Sequence, residues 1–422
     1  MNKILIWISS LAMAGTCVAG AQHTHGMMGP VTPLSTLVAE ALSKNSQVAS
    51  AEHAWRASTK VAAQVTTLPD PQFTVQEFSV GSPKPFAGFS NSDFAYVGIG
   101  VSQDLPFAGK LRLRGQAAER DADEQKAQIE LIKSSLADQV KTAYLRMAYL
   151  HQTVDLLNRN SALLEMLIQT ELGRYKVGQG SQADVLRGQL ERTRLLRETT
   201  MHEQEMQQIE VTLKLLSHRP QDSASIVPEA MVPTPTTRSK SELIELVRSQ
   251  NPMLQDDMAK VEQQNAKLNI AKRDTKPDFN VGGMFQQTGL SYRDYYVATL
   301  NVRLPRLKRV RAGIDQAAAL VERSEADADA DLQQQLAEVE RQWVAAESAS
   351  ELMQEYRDGL IPQAETIFQS ELTAYQSDRE KLSPVLSALM DRIAFEHDFE
   401  QALLDHETAI AHLETLTGVE LR

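Results

Sequence analysis

Four side chains near the amino terminus are of types that bind metal ions. The segment "HTHGMM" places His23, His25, Met27 and Met28 close together in the chain. Imidazole and thioether groups in combination favour copper or silver over magnesium or calcium. A polar terminus in which these residues occur incidentally is the alternative interpretation. The segment therefore raises the hypothesis of a copper or silver site.

The segment "RYKVGQGSQADVL", residues 174–186, has a glycine pattern that could hold a phosphate. Phosphate-binding loops follow a strand, however, and this segment follows a long helical pattern. Gly178 and Gly180 give backbone freedom for a tight turn, and Ser181 with Asp184 forms an S-x-x-D cap for a returning helix. We interpret the segment as the tip of a helical hairpin. The mature sequence shows no grouping of nucleophile and base, so we predict neither an enzyme nor a cofactor.

Composition limits the classes of partner. The chain has 422 residues, 5% aromatic residues and a formal net charge of −12. Such a composition suits long helices with narrow apolar seams. A nucleic-acid partner would need a concentrated basic face, which the charge argues against, whereas a channel for cations is compatible with it. The acidic stretch 315–347 is either part of such a channel or a solvated helix face.

Residues 1–21 combine one lysine, an apolar run and small residues before Gln22. This pattern predicts a secretory signal peptide that is cleaved after Ala21. The one cysteine of the chain, Cys17, lies inside it. Lipidation of Cys17 is the alternative, although Ala14-Gly15-Thr16 fits that signal poorly. A mature chain without cysteine avoids accidental oxidation in an oxidising compartment.

The sequence aligns with itself at a spacing of about 200 residues. "ELGRYKVGQGSQADVL" from Glu171 matches "ELTAYQSDREKLSPVL" from Glu371, and "LVAEALSKNSQVASA" from Leu37 matches "LIELVRSQNPMLQDD" from Leu243. Repetition of this kind indicates one structural unit used twice. After the signal peptide we therefore predict a first repeat, a connector rich in Pro and Ser, and a second repeat at residues 22–219, 220–240 and 241–422.

Each repeat is predicted to contain two long helices, at residues 108–176 and 182–217 and at residues 310–376 and 384–417. Apolar residues at heptad spacing, such as Met353, Leu360 and Ile367, predict that these helices pair as coiled coils. The paired helices would be far longer than a globular domain requires.

Each repeat is also predicted to contain two strands, at residues 73–80 and 94–105 and at residues 279–287 and 294–304. Their lengths approach the roughly 9–11 residues of a tilted membrane-crossing strand. Apolar residues from Val97 to Val101 alternate with small ones, as when one face meets lipid and the other a wet lumen; a soluble sheet is the alternative. Four strands are too few to close a barrel, because the smallest have about eight. Since open edges are not tolerated in lipid, a barrel would be shared between chains.

From about Leu34 to Val419, the sequence resembles the TolC-like outer-membrane efflux proteins. The resemblance rests on the duplication, on the "ALSKN" and "VRSQNP" openings, on strand pairs that end in Leu-Pro, and on "RYKVGQGSQADVL". "LPDPQF" (68–73) and "QDLPFAGKLRLRGQAA" (103–118) are most similar to the branch that serves heavy-metal pumps of the resistance-nodulation-division type.

The resemblance implies a mainly α fold with a small β part. Three copies would form a twelve-stranded barrel in the outer membrane above a periplasmic tunnel of helices. A periplasmic adaptor protein would connect the tunnel to an inner-membrane transporter, and the duct would passively export heavy-metal cations. A drug-efflux or protein-secretion duct of the same fold is one alternative, and a periplasmic coiled-coil scaffold without a barrel is another.

The resemblance also places function at the tips of the hairpins. The family pattern of Tyr, Gly and Asp matches Tyr175, Gly178 and Asp184, whereas the second tip keeps Tyr375 but has Asp378 at the glycine position. Ion pairs among Arg174, Asp184 and Arg379 could hold the tips closed, or the turns could be ordinary solvated turns. The candidate residues for adaptor contact or gating are Arg174, Tyr175, Gly178, Gly180, Ser181, Asp184, Tyr375, Asp378, Arg379 and Glu380.

Overall fold

The structure is a computed structural model, and it describes residues 31–79, 84, 95–235, 238–288 and 294–421. The predicted signal peptide with Cys17, and the terminal cluster of His23, His25, Met27 and Met28, lie outside the described residues. So do the outer ends, Val80 and Phe94, of the first two predicted strands.

The elements follow the same order in both repeats. The first repeat contains α1 (Leu34–Lys44), α2 (Ser46–Thr66), β1 (Gln72–Phe78), β2 (Tyr96–Leu105), α3 (Lys110–Lys176) and α4 (Gln182–Leu216). The second contains α5 (Lys240–Gln250), α6 (Pro252–Arg273), β3 (Asp278–Thr288), β4 (Asp294–Arg303), α7 (Leu307–Glu355), a π-helical turn (Tyr356–Leu360), α8 (Ile361–Gln376) and α9 (Leu382–Thr417). The prediction of a duplicated, mainly helical fold with four strands is confirmed.

The long helices form two hairpins, α3 with α4 and α7–α8 with α9. At 67 residues, α3 is about 100 Å long, because an α-helix rises 1.5 Å per residue. Its buried side chains recur at heptad spacing and face the other helices of both hairpins. They include Val140, Met147, Leu150, Leu157, Leu164 and Ile168.

The second hairpin departs from the predicted seam at the π-helical turn. Met353 is buried as expected, but Leu360 and Ile367 are 37% and 56% exposed, so their predicted places in the seam are wrong. A π turn accommodates one extra residue and shifts the phase of the helix. Beyond it the buried positions are Ala364, Phe368 and Tyr375.

The core of the hairpins is divided at the level of the π-helical turn. The cluster nearer the tips ends at Leu157, Phe368 and Ile393, and the next begins with Met353 and Ala402 on the second hairpin. At the edge of the cluster nearer the tips, Arg392 donates to Asn160, with 2.6 Å between Nη2 and Oδ1. The tip regions therefore pack around their own apolar core.

The repeated asparagines of the two opening motifs have the same structural role. Asn251 accepts hydrogen bonds through Oδ1 from the amides of Met253 and Leu254 at the start of α6. Its Nδ2 donates to the Leu416 carbonyl near the end of α9, at 2.8 Å. Asn45 caps α2 and donates to the Leu216 carbonyl in the first repeat. Each asparagine thus joins a short helix to the returning end of a long one.

The four strands form one antiparallel sheet in the order β1-β2-β3-β4. Residues that pair across it lie on the same face, and one face is mostly apolar: Phe73, Val75, Val97, Ile99, Val101, Leu105, Phe279, Val281, Phe285, Tyr296, Ala298, Leu300 and Val302. Much of this face is exposed, with Phe73 at 83% and Tyr296 at 82%. The opposite face is rich in glycine and polar residues, so the predicted alternation extends across all four strands.

The sheet is fastened to the helices by a buried lysine. Lys110, the first residue of α3, contacts the Asp278 carboxylate and the Lys276 carbonyl, each at 2.9 Å. Asp278 also accepts a hydrogen bond from the Phe107 amide. These bonds join the start of the long helix in the first repeat to the start of β3 in the second.

We expect Asn251→Ala to destabilise the protein more than the duplicate substitution Asn45→Ala. Loss of a helix cap costs about 0.5–2 kcal/mol at either position. Each substitution also removes the donor to a carbonyl, but Asn251 is 3% exposed and its bond to Leu416 is buried, whereas the bond of Asn45 to Leu216 is only partly buried. Water can therefore replace the donor more easily at Leu216 than at Leu416. Asn251→Asp keeps the Oδ1 acceptor that caps α6 but removes the Nδ2 donor. Its effect on stability therefore isolates the contribution of the hydrogen bond to the Leu416 carbonyl. Thermal unfolding in detergent measures the stability of the three variants. An equal loss of stability from Asn45→Ala and Asn251→Ala would show that the buried bond to Leu416 adds nothing.

Candidate functional site at the helical tips

Both hairpins end in the same type of turn. In the first, the amide of Gln179 donates to the carbonyl of Arg174 and the amide of Gly178 to that of Tyr175. The amides of Arg379 and Asp378 make the corresponding bonds in the second. This pattern is a Schellman motif, which requires a left-handed residue after the helix. Gly178 (φ 79°) and Asp378 (φ 56°) occupy that position.

Gly180 is required for a different reason. A Cβ atom there would lie 2.6 Å from Oε1 of Glu171 and 2.8 Å from the backbone nitrogen of Tyr175. The absence of a side chain lets the turn fold back onto the end of α3. The amide of Ser181 then donates to Oε1 of Glu171 at 3.1 Å.

Glu171 also joins the two hairpins. The Tyr375 hydroxyl, at the end of α8, donates to Oε2 of Glu171 at 2.8 Å. Tyr375 is 2% exposed and Glu171 3% exposed, so this hydrogen bond is shielded from water. Glu171 therefore binds its own turn through one carboxylate oxygen and the second hairpin through the other.

Arg174 adds a second set of contacts between the tips. Its guanidinium carbon lies 4.6 Å from the centre of the Tyr375 ring, and Nη1 donates to the Tyr375 carbonyl at 3.1 Å. Its Nη2 forms an ion pair with the Asp378 carboxylate. The left-handed position that is glycine in the first tip thus carries a charged partner in the second.

Burial, and then the hydrogen bond to Glu171, raise the pKa of Tyr375 to about 12 from the usual 10.0. Because the folded-state pKa is raised, the protonated phenol stabilises the joined tips fully below pH 10. That contribution is lost as the pH rises through about 12. The link therefore stays intact throughout the physiological range.

The energies of these contacts differ. A hydrogen bond to a charged group contributes about 1.5–3 kcal/mol, and the buried Tyr375–Glu171 bond is of this kind. The Asp378 side chain is 71% exposed, and exposed ion pairs contribute at most about 1 kcal/mol. We infer that the Tyr375–Glu171 bond is the main link and that the ion pair is secondary.

The structure brings most of the predicted tip residues together. A cleft of about 700 Å³ between the two turns is lined by Arg174, Gly178, Gly180, Ser181, Asp184, Tyr375, Asp378, Arg379 and Glu380. Tyr175 is 43% exposed and does not line this cleft. The two tyrosines that the duplication makes equivalent therefore have different environments.

Details of the predicted caps differ in the structure. Ser181 caps α4 as expected, but its Oγ accepts from the amide of Ala183, not from that of Asp184. The predicted bounds 384–417 made Pro384 the first residue of the last helix, but α9 already begins at Leu382, so Pro384 is its third residue. Its missing amide hydrogen is tolerated there, since the first turn lacks intrahelical acceptors.

The suggested ion pairs are formed in part. Arg174 pairs with Asp378, but neither Asp184 nor Arg379 forms an ion pair within the described residues. Glu171, the central residue of the link, was missed. The sequence does indicate it by position: Glu171 lies three and four residues before Arg174 and Tyr175, so its side chain is on the same face of the helix.

The described part of the chain holds no group of three or more His, Cys, Asp or Glu side chains arranged to bind a metal ion. None of the described helices has the length and apolar character needed to cross a membrane.

The profile of the family described as "Outer membrane efflux protein" matches residues 37–217 and 243–419. The chain therefore belongs to the outer membrane efflux protein family. No curated protein sequence matches it.

Several solved structures share the fold. The outer-membrane channel OprN has a TM-score of 0.77 and 15% identity over 92% of this chain and 90% of its own. VceC, an outer membrane protein of Vibrio cholerae, has a TM-score of 0.76 and 16% identity, with coverage of 92% and 97%. CusC, a transmembrane channel, has a TM-score of 0.74 and 14% identity, with coverage of 92% of both chains.

We expect Tyr375→Phe to loosen the tips, because it removes the donor to Glu171 and leaves a buried carboxylate oxygen unpaired, at a cost of about 1–3 kcal/mol. Tyr175→Phe is the matched control, since it changes the exposed duplicate. Single-channel conductance in planar bilayers should rise for Tyr375→Phe alone. Equal conductance of the two variants and the parent protein would show that the link does not hold the tips.

Proposed function

We propose that the chain is the outer-membrane duct of a tripartite efflux pump. Three copies form a channel that continues through the outer membrane as a shared β-barrel. A periplasmic adaptor protein binds its helical end and connects it to an inner-membrane transporter of the resistance-nodulation-division type. The duct performs no chemistry, and the energy for export comes from the transporter.

The apolar face of the sheet is the observation that carries this proposal. Exposed apolar side chains on one face and polar or glycine residues on the other are the pattern of a strand between lipid and an aqueous lumen. The strands β2, β3 and β4 contain 10, 11 and 10 residues, which is about the length needed to cross a bilayer at a tilt. A scaffold confined to the periplasm would have no use for such a face.

The tips are proposed to form the gate and the contact for the adaptor. In this account Glu171, Arg174, Tyr375 and Asp378 hold the two hairpins of one chain together in the closed state. An adaptor that binds the exposed turn residues, including Arg379 and Glu380, would separate them. This separation changes only the contacts between the turns, because the apolar core around Phe368 keeps the rest of the two hairpins packed together.

Heavy-metal cations are proposed as the cargo. The support is the similarity of residues 68–73 and 103–118 to the branch that serves heavy-metal pumps, together with the net charge of −12. The His23, His25, Met27 and Met28 cluster adds a preference for copper or silver, because thioether ligands suit Cu(I). Drug efflux or protein secretion through the same fold is the competing assignment.

We expect loss of the gene to sensitise cells to copper or silver first, and then to zinc, cobalt or cadmium. Deletion of residues 23–28 should cost little tolerance, because a terminal segment does not form the helical tunnel. Growth of the null strain, complemented with the parent or the shortened chain, on a panel of metals and antibiotics measures both effects. Unchanged metal tolerance with increased antibiotic sensitivity would contradict the cargo assignment and leave the duct in place.

A further inference from the structure

A groove between α4 and α9 holds two histidines that the tips do not use. The cavity between the two helices has a volume of about 990 Å³ and is lined from Arg187 and Ser383 near the tips to His202 and His397. His202 of α4 and His397 of α9 line it from opposite sides, and Met201 lines it beside His202. The groove is therefore a place where two imidazoles and a thioether are open to solvent together.

His397 is held in position by a buried tyrosine. The hydroxyl of Tyr149, which is 2% exposed, lies 2.9 Å from Nε2 of His397. Tyr149 is itself covered by the Arg146 guanidinium, 4.9 Å from its ring centre, and Arg146 pairs with Glu205 at 2.7 Å. When the proton is on Nε2, the ring donates to Tyr149 and leaves the Nδ1 lone pair for an ion. Outer partners of this kind orient metal-binding histidines.

The two imidazole rings are suitably spaced for one shared ion. Their centres are 6.3 Å apart and their planes are inclined by 32°. Metal–imidazole bonds are about 2.0–2.1 Å long, so an ion held between two facing ring nitrogens places the ring centres about 6 Å apart. The Asp398 carboxylate lies 3.8 Å from Nδ1 of His397 and adds negative potential on the same side. His202 makes no hydrogen bond within the described ranges.

We propose that His202 and His397 bind one soft monovalent cation, Ag⁺ or Cu⁺, across the groove, with the Met201 thioether as a further donor. The described residues offer no group of three His, Cys, Asp or Glu ligands, which a tetrahedral divalent ion requires. Ions of the Ag⁺ and Cu⁺ type accept two nitrogen donors in line, and thioether ligands suit them. The site lies on the chain itself and does not depend on the identity of the exported cargo.

Silver binding to the purified full chain tests this site. The starting protein carries alanine at positions 23, 25, 27 and 28, so that the terminal cluster adds no binding, and it has no polyhistidine tag. Equilibrium dialysis against Ag⁺ should show one ion per chain in this background. His202→Ala and His397→Ala should each weaken that binding at least tenfold, whereas His53→Ala, which changes a histidine on α2, should leave it unchanged.

Tyr149→Phe is the second variant, because it removes the orienting hydroxyl and keeps both imidazoles and the apolar ring. It should weaken Ag⁺ binding several-fold. Circular dichroism and the oligomeric state confirm that each variant is folded. X-ray absorption of the Ag⁺ complex should show nitrogen ligands that disappear in His202→Ala. Unchanged stoichiometry and affinity in folded His202→Ala and His397→Ala proteins would overturn the proposal, whatever the metal tolerance of the cells.

Discussion

The outer strands of the sheet impose the constraint on which the rest of the structure depends. Within the described residues, β1 pairs with β2 alone and β4 with β3 alone, so each has one free edge. Each unsatisfied backbone group in a lipid environment costs several kcal/mol. The exposed apolar face is stabilised in such an environment, and the backbone groups of the free edges need a neighbouring strand to bond with. The proposed association of copies would pair the free edges within such an environment, and it would set the helical hairpins side by side.

The duplication gives two hairpins of the same design, and the tips show how they have become different. Tyr175 and Tyr375 occupy equivalent positions, but only Tyr375 is buried. The difference arises because Glu171 and Arg174 of the first hairpin both reach Tyr375 of the second. In this arrangement a carboxylate and a guanidinium of the first tip contact one tyrosine of the second.

The sequence was sufficient for the features that depend on local pattern. Periodicity predicted the hairpins and the faces of the strands, because each follows from spacing along one element. The prediction of buried seam residues was wrong after Met353. The heptad spacing continues in the sequence, but the π-helical turn rotates the following residues onto another face of the helix. Glu171 was missed because its partner Tyr375 is about 200 residues away. The alignment with Gly178 locates Asp378 at the left-handed position of its turn. The alignment does not predict that Asp378 pairs with Arg174.

The most direct test of the account is cross-linking between strand edges of neighbouring copies. The mature chain lacks cysteine if residues 1–21 are removed, so Val75→Cys on β1 and Leu300→Cys on β4 can be introduced without background. Within one sheet these strands are about 14 Å apart, because neighbouring strands are separated by about 4.8 Å; a shorter thiol cross-linker therefore joins only different chains. The account predicts covalent species of up to three chains in membranes from the double variant, and at most pairs from either single variant. A double variant that stays monomeric, or a ladder that extends beyond three chains, would contradict it.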